Sequence, residues 1–323
     1  MNRESIISLL GGTWTAYSEL IRDSLRSDIP LLEKVNSDLL SNGGKQIRPM
    51  LSLLVSSALG QPGEESAVFA AATQLIHNAT LFHDDVADCS SLRRGKPTLS
   101  AVIGPSAAVL VGDFWLSRAV RIVVSRPHQS EAIELFSKTL SDLAEGEMLQ
   151  LQMASDASTA EKDYLRIIYC KTASLFETAC RLAACSVDAT QELTDAAGRY
   201  GAAVGMAFQI RDDIFDYQQG EIGKPVGLDL TEQKITLPLL GAMKNLPQSG
   251  QERIREQVRQ IPDHPENCEA IRSFVLENGG VEYAGGRLGE FIAEAESALA
   301  AFPESGFRDA LAALARYNAV RTK

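Results

Sequence analysis

Between Pro127 and Pro225 the chain contains no proline. At the chain-average frequency that window would hold roughly three or four, and proline is the residue helix interiors exclude most strongly, at about 3 kcal/mol each. The same stretch is rich in Ala, Leu, Glu and Gln, which lose little side-chain freedom in a helix. Runs such as AEGEMLQLQMA, DYLRIIYCKTASLFETACRLAA and DAAGRYGAAVGMAFQIRDDIFDY carry apolar residues at helical spacing. Strand-like alternation bounded by hairpin signals is hard to find. The pattern predicts an all-α protein, its helices joined by short Gly/Pro/Ser loops. No low-complexity linker or fixed-period repeat divides the chain, so residues 1–323 read as a single all-helical domain.

Composition narrows the class. With 45% hydrophobic and 23% charged residues the chain is globular, not disordered. Its 42 acidic and 31 basic side chains leave a net charge of −11. Such a surface repels phosphate backbones, so nucleic acid is not expected as a partner without a large basic patch. The cysteines (Cys89, Cys170, Cys180, Cys185 and Cys268) are odd in number and form no CxxC. That argues against a disulfide framework or a zinc ribbon and for reduced thiols in a cytoplasm. The start, MNRESIISLLGGTW, lacks an adequate signal h-region. The longest apolar-leaning stretch, Ala101 to Val111, is short and contains Gly104 and Pro105, so no transmembrane segment is expected. The protein should be soluble, or at most rest on a membrane as a peripheral contact.

The sharpest local feature is His83-Asp84-Asp85-Val86-Ala87-Asp88, at the end of an apolar run from Ala70 to Phe82. Asp84 and Asp88 are four apart and share one helix face, where like charges repel unless a cation bridges them. The same Asp-Asp-x-x-Asp spacing recurs at Asp212-Asp213-Ile214-Phe215-Asp216, again after an apolar helical run, Ala202 to Phe208. One such cluster is readily explained as a solvated helix end; two are harder to dismiss. Hard oxygen ligands without His or Cys companions suit Mg²⁺, which keeps waters and bridges carboxylates to substrate phosphates. Basic groups lie close by in sequence: Arg93, Arg94 and Lys96 after the first cluster, Lys45 and Arg48 in GGKQIRP, Lys171 beside Thr172, and Lys224 and Lys234 beyond the second. Arginine forks and lysine point charges hold anions, although each alone would read as a solvated surface charge. The combination points to a metal-held diphosphate. Gly220–Lys224 is no P-loop, Gly285-Gly286-Arg287-Leu288-Gly289 sits on no visible strand, His77 and His83 lack zinc-helix spacing, and there is no nucleophile elbow.

These residues resemble the trans-type polyprenyl diphosphate synthases, in particular long-chain members of the octaprenyl-diphosphate-synthase type. The resemblance rests on GGKQIRP (43–49), HDDVADCSSLRRG (83–95), KTASLF (171–176), GMAFQIRDDIFDY (205–217), GKPVG (223–227) and KITLPLL (234–240), in that order. It implies an isoprenoid-synthase-type helical bundle around a central cavity, working as a homodimer. It also implies Mg²⁺ held by Asp84, Asp88, Asp212 and Asp216, with Asp85 and Asp213 in or near the shell. Asp84, Asp85, Asp88, Asp212, Asp213 and Lys171 would then be the catalytic set. Arg93, Lys171, Thr172, Gln209, Lys224 and Lys234 would contact an allylic diphosphate, and Lys45, Arg48, His77 and Arg94 would hold isopentenyl diphosphate. Without the resemblance His77 would read as a satisfied helix histidine. The match is loose beyond about Asn245, where the stretch reads as peripheral amphipathic helices.

Product length follows from helix geometry. A tail growing away from Asp84 passes the preceding residues of its helix, about 5.4 Å deeper per turn. Those residues are Thr80, Ala79 and Ile76; Ala79 and Thr80 are small and leave the floor open. In the family, an aromatic residue there goes with short products. A long product, hexaprenyl to decaprenyl, as in quinone side chains, is therefore expected. The alternatives are a geranylgeranyl-type short-chain synthase, a terpene cyclase and a non-catalytic partner subunit. The intact second motif and GGKQIRP argue against the last two. Six of the 42 acids form the two motifs, so the rest of the chain carries a surplus of only 36 − 31 = 5.

Overall fold

A computed structural model describes residues 2–41, 44–93, 95–218 and 227–320, with the side chains of the last three left aside. The order is α1 (Arg3–Leu10), α2 (Gly12–Ser24), α3 (Pro30–Ser41), α4 (Ile47–Leu59), α5 (Glu64–Ala87), β1 (Leu92–Arg93), β2 (Lys96–Pro97), α6 (Leu99–Ile103), α7 (Pro105–Val123) and α8 (Gln129–Asp156). Then come α9 (Glu161–Ile168), a π-helical turn (Tyr169–Ala173), α10 (Ser174–Cys185), α11 (Gln191–Tyr217), α12 (Leu228–Thr231), α13 (Leu237–Met243), α14 (Gln248–Arg259), α15 (Asn267–Glu277), α16 (Gly280–Leu299) and α17 (Gly306–Val320). The expected all-α architecture is what forms. Among the described residues the only sheet is the ribbon β1–β2, antiparallel with Leu92 opposite Pro97 and Arg93 opposite Lys96. No described helix is long and apolar enough to cross a membrane.

The chain packs as two compact units, the first made of residues 1–137, 178–198 and 299–313, the second of 138–177, 199–298 and 314–323. In the first unit α5 is the central helix, packed against α2, α4 and α7. Its stretch from Ser66 to Ile76 is buried all round, as a helix enclosed by neighbours must be. Glu64 and Glu65 occupy its first turn, where carboxylates complement the helix dipole. Gly104 (φ +87) and Pro105 break α6 from α7, and Pro105 supplies the preset φ of a first helical position. One buried polar group joins three segments: Asn36 Nδ2 donates to the Leu25 carbonyl at 2.7 Å, and its Oδ1 accepts from Trp115 Nε1 at 2.9 Å. Phe82 meets the Trp115 ring edge-on, 5.4 Å between centroids.

The second unit has two adjoining apolar clusters. One gathers Tyr164, Ile168, Ala173, Met206, Ile210, Ile214, Leu237, Ala284 and Leu288. The other gathers Tyr217, Leu239, Ile254, Val258, Ile271 and Val275. The C-terminal helices are amphipathic as expected, but they are less peripheral than the sequence suggested, because Val258, Ile271 and Val275 close this core. Arg255 fastens α14 to the segment before α9 by donating to the carbonyls of Ala157 (2.6 Å) and Thr159 (3.1 Å).

Two glycines set the closest packing around the π-helical turn. A Cβ on Gly205 would lie 2.5 Å from Ala173 Cα, and one on Gly146 would lie 2.6 Å from Cys170 Cβ. By contrast Gly286, in the glycine cluster that lies within α16, faces open space. Gly205→Ala should therefore destabilise the protein by about 1–3 kcal/mol through overpacking against backbone, whereas Gly286→Ala should stabilise it by about 0.5–1 kcal/mol through helix propensity. Urea unfolding of both variants checks the opposite signs.

Candidate active site

The first unit holds the first Asp-rich motif on the last turn of α5. Asp88 is its C-terminal cap, its N–H donating to the Asp84 carbonyl at 2.8 Å. Asp84 is half-buried and Asp88 exposed, whereas Asp85 is buried. Burial of Asp85 is answered by a charge: Arg93 Nε donates to its Oδ1 at 2.7 Å. Leaving such a carboxylate unpaired would cost several kcal/mol. The chain turns sharply after Asp88 through Cys89 (φ +50), and Thr98 clasps the return, its hydroxyl donating to the Ser90 carbonyl at 2.7 Å. The ribbon β1–β2 thus delivers Arg93 back to Asp85.

His83 faces α7, with Nε2 at 3.2 Å from the Val109 carbonyl and 3.4 Å from Asp113 Oδ1. Gly112 makes room for it, since a Cβ there would lie 2.3 Å from Nε2. Behind the motif, Ile76 and Ala79 are buried and Thr80 is half-buried, its hydroxyl turned back to the His77 carbonyl at 2.9 Å. His77 pairs with Arg48 on α4, Nη1 to Nε2 at 3.0 Å. Lys45 lies exposed just before Gln46 (φ +50), whose left-handed backbone starts α4. Arg48 and His77, far apart in sequence, are therefore neighbours.

The second unit holds the second motif near the end of α11. Asp213 is fully enclosed, accepting from Tyr164 Oη at 2.7 Å and from Gln209 Nε2 at 2.8 Å. Gln209 Oε1 in turn accepts from the Thr172 hydroxyl at 2.8 Å. Burial drives the Asp213 carboxyl up to about 7, against the pull of its two donors. Asp216 is also pushed up by burial. Its carboxylate accepts the N–H groups of Leu228 (3.1 Å) and Asp229 (3.0 Å), which fastens the start of α12. Asp212 is half-buried. Lys171, in the π-helical turn, donates to Gln150 at 2.9 Å and pairs with Glu147, both on α8. Lys234 pairs with Glu232; burial pushes the Asp229 carboxyl well above its ordinary range, and Lys234 only partly offsets the rise of Asp229 and Asp213.

The six aspartates thus divide into different jobs. Asp85 and Asp213 are buried and bonded to protein groups, and Asp216 grips backbone. Asp88 is exposed, and Asp84, Asp212 and Asp216 are half-buried. Among the described residues no three His, Cys, Asp or Glu side chains form a ready-made metal cage. Mg²⁺ needs none, because it takes one or two carboxylates and completes its octahedron with waters and phosphate oxygens. An all-oxygen donor set with lysines and arginines near each motif fits that ion. Arg94 and Lys224 lie outside the described residues.

Residues 29–275 match the family model described as polyprenyl synthetase. The chain belongs to the polyprenyl synthetase family. This synthase is 38% identical over 329 residues to the octaprenyl diphosphate synthase of Escherichia coli (strain K12), a match that spans 100% of both chains. Its fold matches a decaprenyl diphosphate synthase from Rhodobacter capsulatus with a TM-score of 0.91 at 31% identity, over 100% of both chains. A polyprenyl synthase from Caulobacter crescentus CB15, solved complexed with calcium and isoprenyl diphosphate, gives a TM-score of 0.89 at 32% identity, over 100% of this chain and 98% of that one. The synthase is accordingly a prenyltransferase with the all-α isoprenoid-synthase fold.

Sequence reading missed Tyr164, Glu147, Gln150, Asp229 and the glycine pair Gly146 and Gly205. Tyr164 was hidden because a tyrosine at helical spacing reads as core, which it also is. Glu147 and Gln150 looked like the polar face of an ordinary helix.

A pH prediction follows from Asp213. Its folded value of about 7 lies above the ordinary 3.8, so the folded metal-free protein holds this proton more tightly than the unfolded chain. Stability from this group is therefore present at low pH and declines as pH rises between those two values. Asp213→Asn removes the dependence. In metal-free urea titrations at about pH 4.5 and about pH 8, the variant should gain on the wild type at the higher pH. Parallel behaviour would mean that Asp213 is not held protonated by burial.

Proposed function

We propose that this synthase condenses an allylic diphosphate, farnesyl diphosphate first, with successive isopentenyl diphosphates to give a long-chain all-trans polyprenyl diphosphate of the kind that forms quinone side chains. The observation that carries the reading is the repeated Asp-Asp-x-x-Asp motif at the ends of α5 and α11, in which one aspartate (Asp85, Asp213) is buried and hydrogen-bonded and its neighbours Asp84, Asp88 and Asp212 are half-buried or exposed. The octaprenyl and decaprenyl names of the relatives support the length, and the calcium and isoprenyl diphosphate of the Caulobacter protein support the ligands.

In this reading Asp84, Asp88 and Asp212, joined by Asp216 through its remaining lone pairs, hold Mg²⁺, which when bound neutralises charge on the diphosphate. Lys171, Arg93 and Lys234, with Lys224, hold the allylic diphosphate where negative charge grows as the C–O bond breaks. Thr172 and Gln209 brace that side. Arg48 and His77, with Lys45 and Arg94, anchor isopentenyl diphosphate. Its double bond attacks the allylic carbon, and the proton then lost passes to the released diphosphate. The growing tail passes Ile76, Ala79 and Thr80.

Three further points belong to the same proposal. Residues 1–323 form one synthase domain, in line with a family match that runs through both packing units. The active form is a homodimer. Leu110 (67% exposed), Val120 (55%) and Val124 (47%) line one side of α7, while Val111, Trp115, Ala119 and Val123 bury the other. A stripe of that kind suits a second copy of the chain. The enzyme works in the cytoplasm and meets a membrane only peripherally, to release its product.

Incubation with farnesyl and labelled isopentenyl diphosphates plus Mg²⁺ should yield products of hexaprenyl length or longer by chromatography; products stopping at geranylgeranyl would establish the short-chain alternative. Ala79→Phe should shorten the product, and an unchanged length would place the tail elsewhere. Asp84→Ala should lower kcat/KM by about 10²–10³-fold, the scale for removing one preorganised electrostatic group.

A further inference from the structure

Three turns that are far apart in sequence meet at the start of α5, all within the first unit. Gly60, after α4, packs so near Val187, after α10, that a Cβ on it would lie 2.9 Å from the Val187 Cβ. Ser66 Oγ on α5 lies 2.7 Å from Ser186 Oγ. The turn between α7 and α8 brings His128 to the same place. Its backbone N–H donates to Glu65 Oε1 at 2.9 Å, its Nδ1 lies 2.9 Å from Glu65 Oε2, and its Nε2 lies 3.5 Å from Asp188 Oδ1.

Both ring nitrogens of His128 therefore face carboxylates. A neutral imidazole has one N–H and one lone pair, so it serves one carboxylate and turns the lone pair on the other. The imidazolium serves both. Glu65 is half-buried and holds the backbone as well as the ring, whereas Asp188 is exposed and its contact is the longer one. When the proton leaves, the remaining N–H stays with Glu65. Glu131, in the first turn of α8, adds a third negative charge near the ring. The neighbouring cations are already engaged: Arg126 with Glu64 at 2.7 Å and Arg181 with Asp195 at 2.7 Å. Burial pushes the Cys185 thiol up, so it does not ionise near neutrality.

We propose that His128 is a protonation-operated clamp: as imidazolium it fastens the α10–α11 turn to the start of α5, and as neutral imidazole it keeps Glu65 and releases Asp188. The hydrogen bond to Glu65 holds the His128 pKa above its ordinary 6.5, and the charges of Asp188 and Glu131 act the same way against burial. The folded protein thus binds this proton more tightly than the unfolded chain does. The clamp's contribution is complete below pH 6.5 and is lost as pH rises through the folded value. Release is local, because Asp188 sits in a left-handed turn (φ +53) closed only by weak turn bonds, its N–H to the Cys185 carbonyl at 3.0 Å and that of Ala189 to Ala184 at 3.2 Å. Glu65 lies 84 − 65 = 19 residues before Asp84 on α5, about 28 Å along the axis. The clamp is therefore independent of the diphosphate-binding reading.

The test is hydrogen–deuterium exchange of the full-length chain at the amides from Ser186 to Thr190, with an NMR titration of the His128 ring. After correction for intrinsic chemical exchange, the turn should open about two- to fivefold more often at about pH 8.5 than at about pH 6, the range for one partly exposed ion pair. The change should follow the ring's own titration, with its midpoint above 6.5. His128→Asn keeps a donor for Glu65 that does not reach Asp188, and should show the high-pH opening at both values. Asp188→Asn, which tolerates the left-handed backbone, should lower the His128 midpoint and remove most of the pH dependence. Ser66→Ala loosens the same junction without a titrating group, and should raise opening equally at both values, which separates the clamp from mere stability. Equal opening of the wild-type turn at both values would overturn the clamp. So would a His128 midpoint at or below 6.5, or the wild-type pH dependence surviving in His128→Asn. If His128→Asn does not fold, Asp188→Asn, altered at an exposed side chain, carries the comparison.

Discussion

A carboxylate inside a helical core must find donors there or lose its charge. Each unit of this protein solves that problem once, and much of the local architecture follows. Asp85 obtains a guanidinium, and to deliver it the chain leaves α5 through a left-handed Cys89 and returns along a two-stranded ribbon clasped by Thr98. Asp213 obtains a phenol and an amide, and the amide reaches on to the π-helical turn. The ordered surroundings of both motifs are built outward from these two buried acids. The groups proposed to meet substrate are their immediate neighbours in sequence, so their placement is inherited from the core.

Small residues determine how near the helices can come. Gly112 admits the ring of His83, and Gly146 and Gly205 admit the π-helical turn. The absence of a side chain at such points lets polar groups on different helices come within hydrogen-bonding reach without leaving cavities.

Much of this was legible in the sequence. The proline-free window gave the helices, and the spacing of the aspartates gave the two motif faces. The nearness of Arg48 and His77 joins two residues 29 apart in sequence, a contact their spacing alone does not show. Other things could not be read. Nothing in Asp-Asp-x-x-Asp says which aspartate turns inward, because helical periodicity fixes a direction around the axis but not what stands opposite. Tyr164 lies in an apolar run that would look the same if its hydroxyl met water. The π-helical turn is invisible for a related reason: Tyr169-Cys170-Lys171-Thr172-Ala173 has the composition of ordinary helix, and the extra residue is imposed by what packs on it. The C-terminal helices were seen as amphipathic, but their part in closing the second unit's core depends on partners far away in sequence.

The π-helical turn joins α9 to α10 without a break, with the Ser174 N–H reaching back to the Tyr169 carbonyl, five residues away. One residue more than an α-helix needs is accommodated there. The wider turn spreads its rotation over one more residue, so α9 and α10 stay nearly in phase across it. Its effect is local: it sets which of Tyr169–Ala173 face the close approaches at Gly146 and Gly205, and it leaves Tyr164 and Phe176 on the faces that a regular helix one residue shorter would give them.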